Sequence, residues 1–515
     1  MHVILFTDIT NNIIPVKTIG AYKIAHVLRQ NGYKTLVIND ISYLVQTRMD
    51  ELFAFLDTIV TDETLYFGFS STFLSIVKDK DGDFLVSAVG NTLWADKTYK
   101  RPYDYDNEEI PQNFSMSEEF TNFLERIKKY NKKIIMGGAN HTAYLINNLI
   151  KPDNWIQGLA ETSIIKFTKD LQSGKDIPQL YKYDRFATLY DFYNSSGTFS
   201  HEDAVLDYET LPIEFSRGCR FKCKFCSYPL LGRSPKDNRY IKSEEAIYKE
   251  FKYNYENFGV ENYYFLCDTF NETTDKVRTI KNAINRARIN PKFFSYLRIE
   301  LLHKNPEQIS MLRDMGIGAA HFGIESLNYD AAKSIGKGLD PEQVLKTVDK
   351  CRDVWGSETV IHASFIIGLP YDSPEKCDKW TQQIRDASTS LTSVTIKPLA
   401  ISQKIQEENM FYSEFEINME KYGYKRHKDN WINEHWTYEE ACKYANQLTE
   451  DCWLTGRYGI IPFNALMYLS ADFSWKEIVT IRKGQAMFNK MRDEAILRGN
   501  EKRDIYIDKL LNASY

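Results

Sequence analysis

Apolar residues over the first 175 positions recur in two alternating rhythms. Short unbroken runs, HVILFTD (2–8), TLVIND (35–40), TLYFGFSSTF (64–73), KKIIMGG (132–138) and WIQGL (155–159), have the length and β-branched content of buried strands. Between them, VKTIGAYKIAHVLRQNGY (16–33) and segments near 42–57, 117–130 and 141–150 space their apolar residues three or four apart, as helices with one buried face do. Strand–helix–strand alternation predicts a parallel sheet covered on both faces, a doubly wound (Rossmann-like) α/β domain over residues 1–175. Residues 74–114 interrupt it as an insertion. There VKDKDGDFLVSAV predicts a hairpin turning at Asp-Gly, and RPYDYDNEEIPQN reads as a polar loop. Residues 176–205, with weak periodicity and the turn-prone NSSG (194–197), read as a linker.

A second alternating series begins near residue 206. LPIEFS (211–216), NYYFLCD (262–268), FFSYLRIE (293–300), GAAHFGIES (318–326), VIHASFIIGLP (360–370) and SVTIKPLA (393–400) predict six strands. Helical spacing falls between them, near 243–257, 273–288, 306–315, 341–354 and 374–388. Six strand–helix units over 206–400 predict a partial barrel of the TIM kind, with functional residues at the C-terminal strand ends. From 401 to 515 the pattern turns helical and aromatic, as in WTYEEACKYANQLTEDCWL (436–454) and SWKEIVTIRKGQAMFNKMRDEAILRG (474–499). That region reads as a cap shaping a substrate pocket at the barrel mouth, or as an ordinary helical core.

Charge removes some function classes. The 70 acidic and 65 basic residues leave a net charge of −5, which supplies no field for nucleic acid or an anionic membrane. No apolar run reaches the roughly 20 residues of a membrane span. The stretch MHVILFTDITNN lacks the basic start and small-residue cleavage site of a signal peptide. The expected compartment is the cytoplasm, where thiols stay reduced and clustered cysteines point to a metal or to chemistry before disulfides.

Three of the eight cysteines do cluster. Cys219, Cys223 and Cys226 lie in SRGCRFKCKFCSYP (216–229) with C-x3-C-x2-C spacing, in the loop after the first barrel strand. Structural zinc needs a fourth closed ligand, such as Cys267 or a histidine, and the usual second pair at C-x2-C or H-x3-H spacing is absent. An iron–sulfur cluster held by three thiolates keeps one iron open for an exogenous ligand. Arg217, Arg220, Lys222 and Lys224 read as a solvated basic loop, or as support for a negatively charged cluster or an electron donor. Cys267, Cys351, Cys377, Cys442 and Cys452 are isolated and read as buried structural thiols.

The cysteine spacing, with aromatic Phe225 just before the last thiol, resembles the signature loop of the radical S-adenosylmethionine (SAM) enzymes. The resemblance implies a 4Fe-4S cluster on Cys219, Cys223 and Cys226 whose open iron chelates the amino and carboxylate groups of SAM. One electron then cleaves the sulfonium to methionine and a 5′-deoxyadenosyl radical, which abstracts a substrate hydrogen, while the chain supplies binding and orientation. It also implies SAM contacts at successive strand ends. These are Asp268 and Thr269 for the amino end, Arg298 as a carboxylate fork, Glu325 and Ser326 beside the ribose, and backbone beside Gly368 against adenine. The implied partners are a small-molecule substrate and an electron donor of the flavodoxin or ferredoxin type. A non-catalytic metal-binding or electron-transfer protein is the competing reading from another class.

A doubly wound domain ahead of such a barrel resembles the cobalamin-binding branch of the superfamily. The matching residues are Gly20, the strand-end run Ser70-Ser71-Thr72, the pair Gly137 and Gly138, and the stretch from Gly158 to Glu161 and Thr162. Glycines at strand ends let a flat ring or a nucleotide tail approach backbone. Cobalamin domains that ligate cobalt carry Asp-x-His-x-x-Gly after the first strand. Here that stretch is Asp8-Ile9-Thr10-Asn11-Asn12-Ile13, with Thr10 where the histidine would stand, and His26 further on reads as a surface histidine. The resemblance therefore implies cobalamin without a histidine beneath cobalt, against the alternative of a degenerate, cobalamin-free domain. No cysteine precedes Cys219, unlike methylthiotransferase relatives, whose first domain carries three. The implied chemistry is methylation of an unactivated carbon or rearrangement of a small-molecule skeleton.

Overall fold

Two six-stranded parallel sheets organise the chain, seen in a computed structural model that describes residues 1–8, 16–70, 74, 77–78, 84–85, 115–138, 150–181, 190–207, 209–226, 240–387, 390–401, 413–427, 430–454, 462–479, 485–513 and 515. The first sheet begins with β1 (Val3–Phe6), β2 (Thr35–Ile38) and β3 (Tyr66–Ser70). A small antiparallel sheet of β4 (Val77–Lys78), β5 (Phe84–Leu85) and β6 (Ser115–Met116) follows; β4 and β5 pair antiparallel, as the expected hairpin requires, while its Asp81-Gly82 turn lies outside the described residues. The first sheet then resumes with β7 (Lys133–Gly138), β8 (Asn154–Gln157) and β9 (Leu180–Tyr181), in the order β2-β1-β3-β7-β8-β9. Strands β1 and β2 are buried at every residue, because helices cover both faces. Val3, Leu5 and Ile135 pack with Tyr22, Leu28 and Phe167 on one face. Ile4, Phe6 and Phe69 pack with Leu52, Phe53 and Phe123 on the other.

The structure departs from the sequence expectation at several points. The segment near 42–57 is two helices, Ile41–Thr47 and Met49–Ile59, because Arg48 leaves helical geometry at φ −141°. Residues 141–149 of the helix expected near 141–150 lie outside the described residues, as does most of the 74–114 insertion. Strand β9 falls within the expected linker and pairs in parallel with β8.

The second sheet follows the chain: β10 (Leu211–Glu214), β11 (Tyr263–Leu266), β12 (Phe293–Leu297), β13 (Ile317–Glu325), β14 (Val360–Ile367) and β15 (Ser393–Pro398), each parallel to the next. Period-two alternation divides each strand between two surroundings. Phe322 stacks on Trp355 and Phe365 on Trp380, in the helices outside the barrel. The alternate residues, such as Ala319 and Val360, point into the lumen and meet a helix, Pro462–Ser470, that fills its N-terminal half through Ala465 and Leu466. Thr210 locks that helix in place, donating from its N–H to Ser470 Oγ and from its hydroxyl to the Leu466 carbonyl. A hairpin, β16 (Lys425–His427) and β17 (Asn430–Ile432), covers the end of β14 through Tyr424, Trp431 and Asn433. The last helix, Gln485–Leu511, returns to the first sheet, where Arg503 pairs with Asp40 at 2.8 Å and the Tyr506 hydroxyl accepts the Asn39 N–H. No helix among the described residues is long and apolar enough to cross a membrane.

Candidate functional site

The cysteine loop leaves the C-terminal end of β10. The Arg217 N–H donates to the Tyr240 carbonyl, and Gly218 turns the chain at φ 78°, a region where glycine has no Cβ penalty. Cys219 is buried, whereas Cys223, Phe225 and Cys226 are half-buried. The loop is tied down by Lys224 N–H on the Ile335 carbonyl and by Phe415 N–H on the Lys224 carbonyl. Two of the strand-end residues expected near SAM touch the thiols directly. Thr269 Oγ1 lies 3.3 Å from Cys219 Sγ, and Arg298 Nη1 donates to Cys223 Sγ at 3.4 Å. Arg298 is held by Glu300, by the Gly336 carbonyl and by the ring of Phe221 at 4.2 Å. These contacts fix the guanidinium beside the Cys223 sulfur. Below the loop, buried Lys276 donates to Ser216 Oγ, the Thr269 carbonyl and Glu272, a support that no sequence pattern signalled.

The thiols fit a cluster better than a single ion. Among the described residues no three His, Cys, Asp or Glu side chains converge closely enough to hold one metal ion. A closed zinc site needs that convergence. A four-iron cluster does not, since each thiolate binds a different corner iron. Burial pushes the Cys219 thiol up, so a bound metal is what would keep it a thiolate at neutral pH.

The remaining strand-end residues ring the same mouth. Asp268 is open to solvent, but the low-dielectric walls around it raise its carboxyl to about 6. Glu325 is buried at φ 70°, a left-handed conformation unusual for a non-glycine residue, and its carboxylate lies 3.5 Å from Lys337 Nζ. A side chain at Gly323 would collide with that carboxylate, so the glycine makes room for it. Ser326 accepts the Asn328 N–H at 3.0 Å, and Asn328 in turn donates to Asp372, whose carboxyl burial raises to about 7. Gly368, at φ 89°, has its carbonyl taken by Tyr424 and Asn433 at 2.7 and 3.3 Å, so that oxygen is not what it offers a ligand. A Cβ there would stand 2.9 Å from Trp431 Cζ2. Gly368→Ala is therefore expected to destabilise the protein by about 1–3 kcal/mol in urea unfolding. Trp431→Phe in the same background should recover the steric part and leave the cost of positive φ.

In the first sheet Thr10 and Ser71 lie outside the described residues. Ser70, Gly137, Gly138 and Gly158 keep accessible surface at the strand ends, whereas Phe69, Met136 and Ile156 just before them are buried. At Gly137 a Cβ would meet nothing closer than the Ile156 carbonyl at 3.6 Å. This floor of small residues fits a flat ring or a nucleotide tail. Glu161 faces elsewhere: its carboxylate bonds Arg217 of the cysteine loop. Arg217 also donates to Glu214 at 2.9 Å and lies 4.6 Å from the ring of Phe192, so it is not part of a solvated basic loop, although Arg220 and Lys222 are exposed. Burial alone would raise the Glu161 carboxyl, but the Arg217 charge and hydrogen bond outweigh it and hold it below the usual range. His26, expected at the surface, packs against Gly197, and burial drives its pKa down to about 4.

Residues 213–383, which span the cysteine loop and β10 to β14, match the radical SAM superfamily. An uncharacterized methyltransferase of Pyrococcus horikoshii is 29% identical over 166 residues, 32% of this chain and 34% of its own length. Hopanoid C-2 methylase of Rhodopseudomonas palustris is 24% identical over 188 residues, 36% of this chain and 34% of its own. The match thus spans about a third of the length of these relatives. The radical SAM methyltransferase TsrM from Kitasatospora setae, solved with cobalamin and a 4Fe-4S cluster bound, shares the fold over 97% of this chain and 99% of TsrM, with a TM-score of 0.57 and 13% identity.

Proposed function

We propose that this radical SAM protein is a cobalamin-dependent methyltransferase acting on a small molecule, with residues 1–175 holding cobalamin, 206–400 holding the cluster and SAM, and 401–515 shaping the substrate pocket. The carrying observation is the Arg217–Glu161 contact. It joins the loop after β10 to the residues after β8, so the C-terminal ends of these two strands lie side by side, and we read a shared crevice between the two sheets there. Ligands bind in such crevices of α/β sheets. TsrM, with both groups bound and the same fold end to end, supports the pairing, and the names of the two relatives support methyl transfer. When bound, the cluster would supply an open iron and an electron for SAM, and cobalamin a carrier for the methyl group. Cys219, Cys223 and Cys226 would hold the cluster, with Arg298 and Thr269 orienting the thiolates. Asp268 would accept the SAM ammonium. Glu325 would accept the ribose hydroxyls in charge-assisted hydrogen bonds, with Lys337 fixing its carboxylate. Exposed Arg220 and Lys222 beside the loop suit an acidic electron donor.

Protein loaded anaerobically with hydroxocobalamin is expected to retain the corrinoid through gel filtration. Gly138→Trp, which fills the strand-end floor, should lose it while keeping its iron. Wild-type protein that retains no corrinoid would replace this reading with a cobalamin-free radical SAM enzyme.

A further inference from the structure

His321 and His362 stand opposite each other on β13 and β14 and point into the barrel lumen. Their ring centroids are 4.6 Å apart, and the ring of Tyr296 on β12 lies 4.9 Å from His321. Beneath them the lumen is closed by the helix Pro462–Ser470. Above them it is open. Lumen-facing Leu266, Tyr296, Gly323, Ser364 and Ile366 keep accessible surface, whereas their neighbours along each strand are buried. The two imidazoles thus lie at the floor of a well whose rim carries the cysteine loop and Glu325.

These rings are unusual for buried polar groups. His321 is 8% exposed and His362 not at all. Among the described residues His321 Nδ1 and His362 Nε2 have no hydrogen-bond partner. Buried polar atoms are ordinarily paired, and a pair left open at the end of an accessible well points to a ligand that completes it. His362 Nδ1 is fixed at 2.8 Å from Ser393 Oγ, which sets the direction of its other nitrogen. Burial, with the positive charge of Lys337, drives His321 down to about 3, and burial drives His362 well below its usual range. Both rings are therefore neutral, each with one donor and one acceptor nitrogen.

We propose that this floor binds an uncharged, flat part of the small-molecule substrate that carries an N–H or O–H group, such as an amide. The proposal rests on the reading that the lumen holds a small-molecule substrate. Among the described residues, a cationic group would find two neutral rings and no carboxylate at the floor. A carboxylate would find no free charged donor, because Lys337 is paired with Glu325 and Glu300 at the rim. Either ion would lose its hydration without compensation. Tyr296 and the two imidazoles supply flat walls for a planar group, and charged ends of the substrate are left to the rim.

Benzamide, benzoate and benzamidinium share a shape and differ in charge, so they separate these cases. Saturation-transfer NMR on the full chain, with the cluster reconstituted, should show benzamide binding at least about tenfold more tightly than either ion. His321→Phe and His362→Phe should each remove that binding while iron content stays at the wild-type level. Where a Phe variant fails to fold, the charge selectivity of the wild-type protein decides alone. No binding of benzamide, equal binding of the three probes, preference for an ion, or benzamide binding unchanged in folded variants would overturn the proposal. Corrinoid retention and SAM cleavage are measured separately, so a negative result here leaves the reading of the cofactors standing.

Discussion

Cys223→Ala is expected to abolish SAM cleavage and to strip the cluster, with release of 5′-deoxyadenosine falling below detection in anaerobically reconstituted, reduced protein. Cys223 Sγ is the thiol that Arg298 holds at 3.4 Å, and the guanidinium stays paired with Glu300 when the sulfur is gone. The loop also keeps its backbone ties at Lys224 and Phe415. The variant should therefore fold with wild-type circular dichroism, and its defect should be confined to iron. Cys219→Ala and Cys226→Ala should behave alike, because a cluster with one open iron has no spare protein ligand. Full iron content and continued cleavage in the Cys223 variant would sink the assignment of that thiol.

The barrel was legible in the sequence because its strands are long apolar runs ended by turn residues. Each of the six expected runs contains its strand or overlaps it to within a residue, from β10 in LPIEFS to β15 in SVTIKPLA. What escaped was either short or settled by distant contacts. Strand β9 has two residues and no periodicity to detect, and β16 and β17 have three each. The helix Pro462–Ser470 reads as one more apolar segment until the lumen that it fills has formed.

The site divides in the same way. C-x3-C-x2-C spacing is local, so the thiols could be read directly. Lys276, Lys337 and the Arg217–Glu161 pair depend on which loops meet at the barrel mouth, which spacing does not encode. His321 and His362 left one usable trace. Each is a lone polar ring in an apolar run, in GAAHFGIES and VIHASFIIGLP, on successive strands of an expected barrel. Such positions face either helices or lumen, and only the parity of the folded strands says which.

Arg217→Met is expected to be the most destabilising single change at the crevice, by roughly 3–5 kcal/mol in urea unfolding. The guanidinium is enclosed, with Glu161 on one side, Glu214 on the other and Phe192 against its face. Removing it leaves two carboxylates without their shared cation, and an unpaired buried charge costs more than the pair contributed. The pH dependence gives the effect a signature. In the wild-type protein Glu161 is held below its ordinary pKa, so its contribution is present at neutral pH and is lost as pH falls below the carboxylate range. In the variant, burial, the largest influence on Glu161, should be opposed only by a backbone hydrogen bond and the Lys23 charge and should raise it, so the folded state takes up protons first. Stability should then rise as pH falls from 7.5 towards 5, and the gap to wild type should narrow. Glu161→Leu added to Arg217→Met should recover part of the loss, because apolar groups of similar volume can replace a buried ion pair. Corrinoid retention should fall in the single variant if this contact sets how the first sheet faces the cysteine loop. A loss of under about 1 kcal/mol, equal at both pH values, would mark the contact as a solvated surface pair instead.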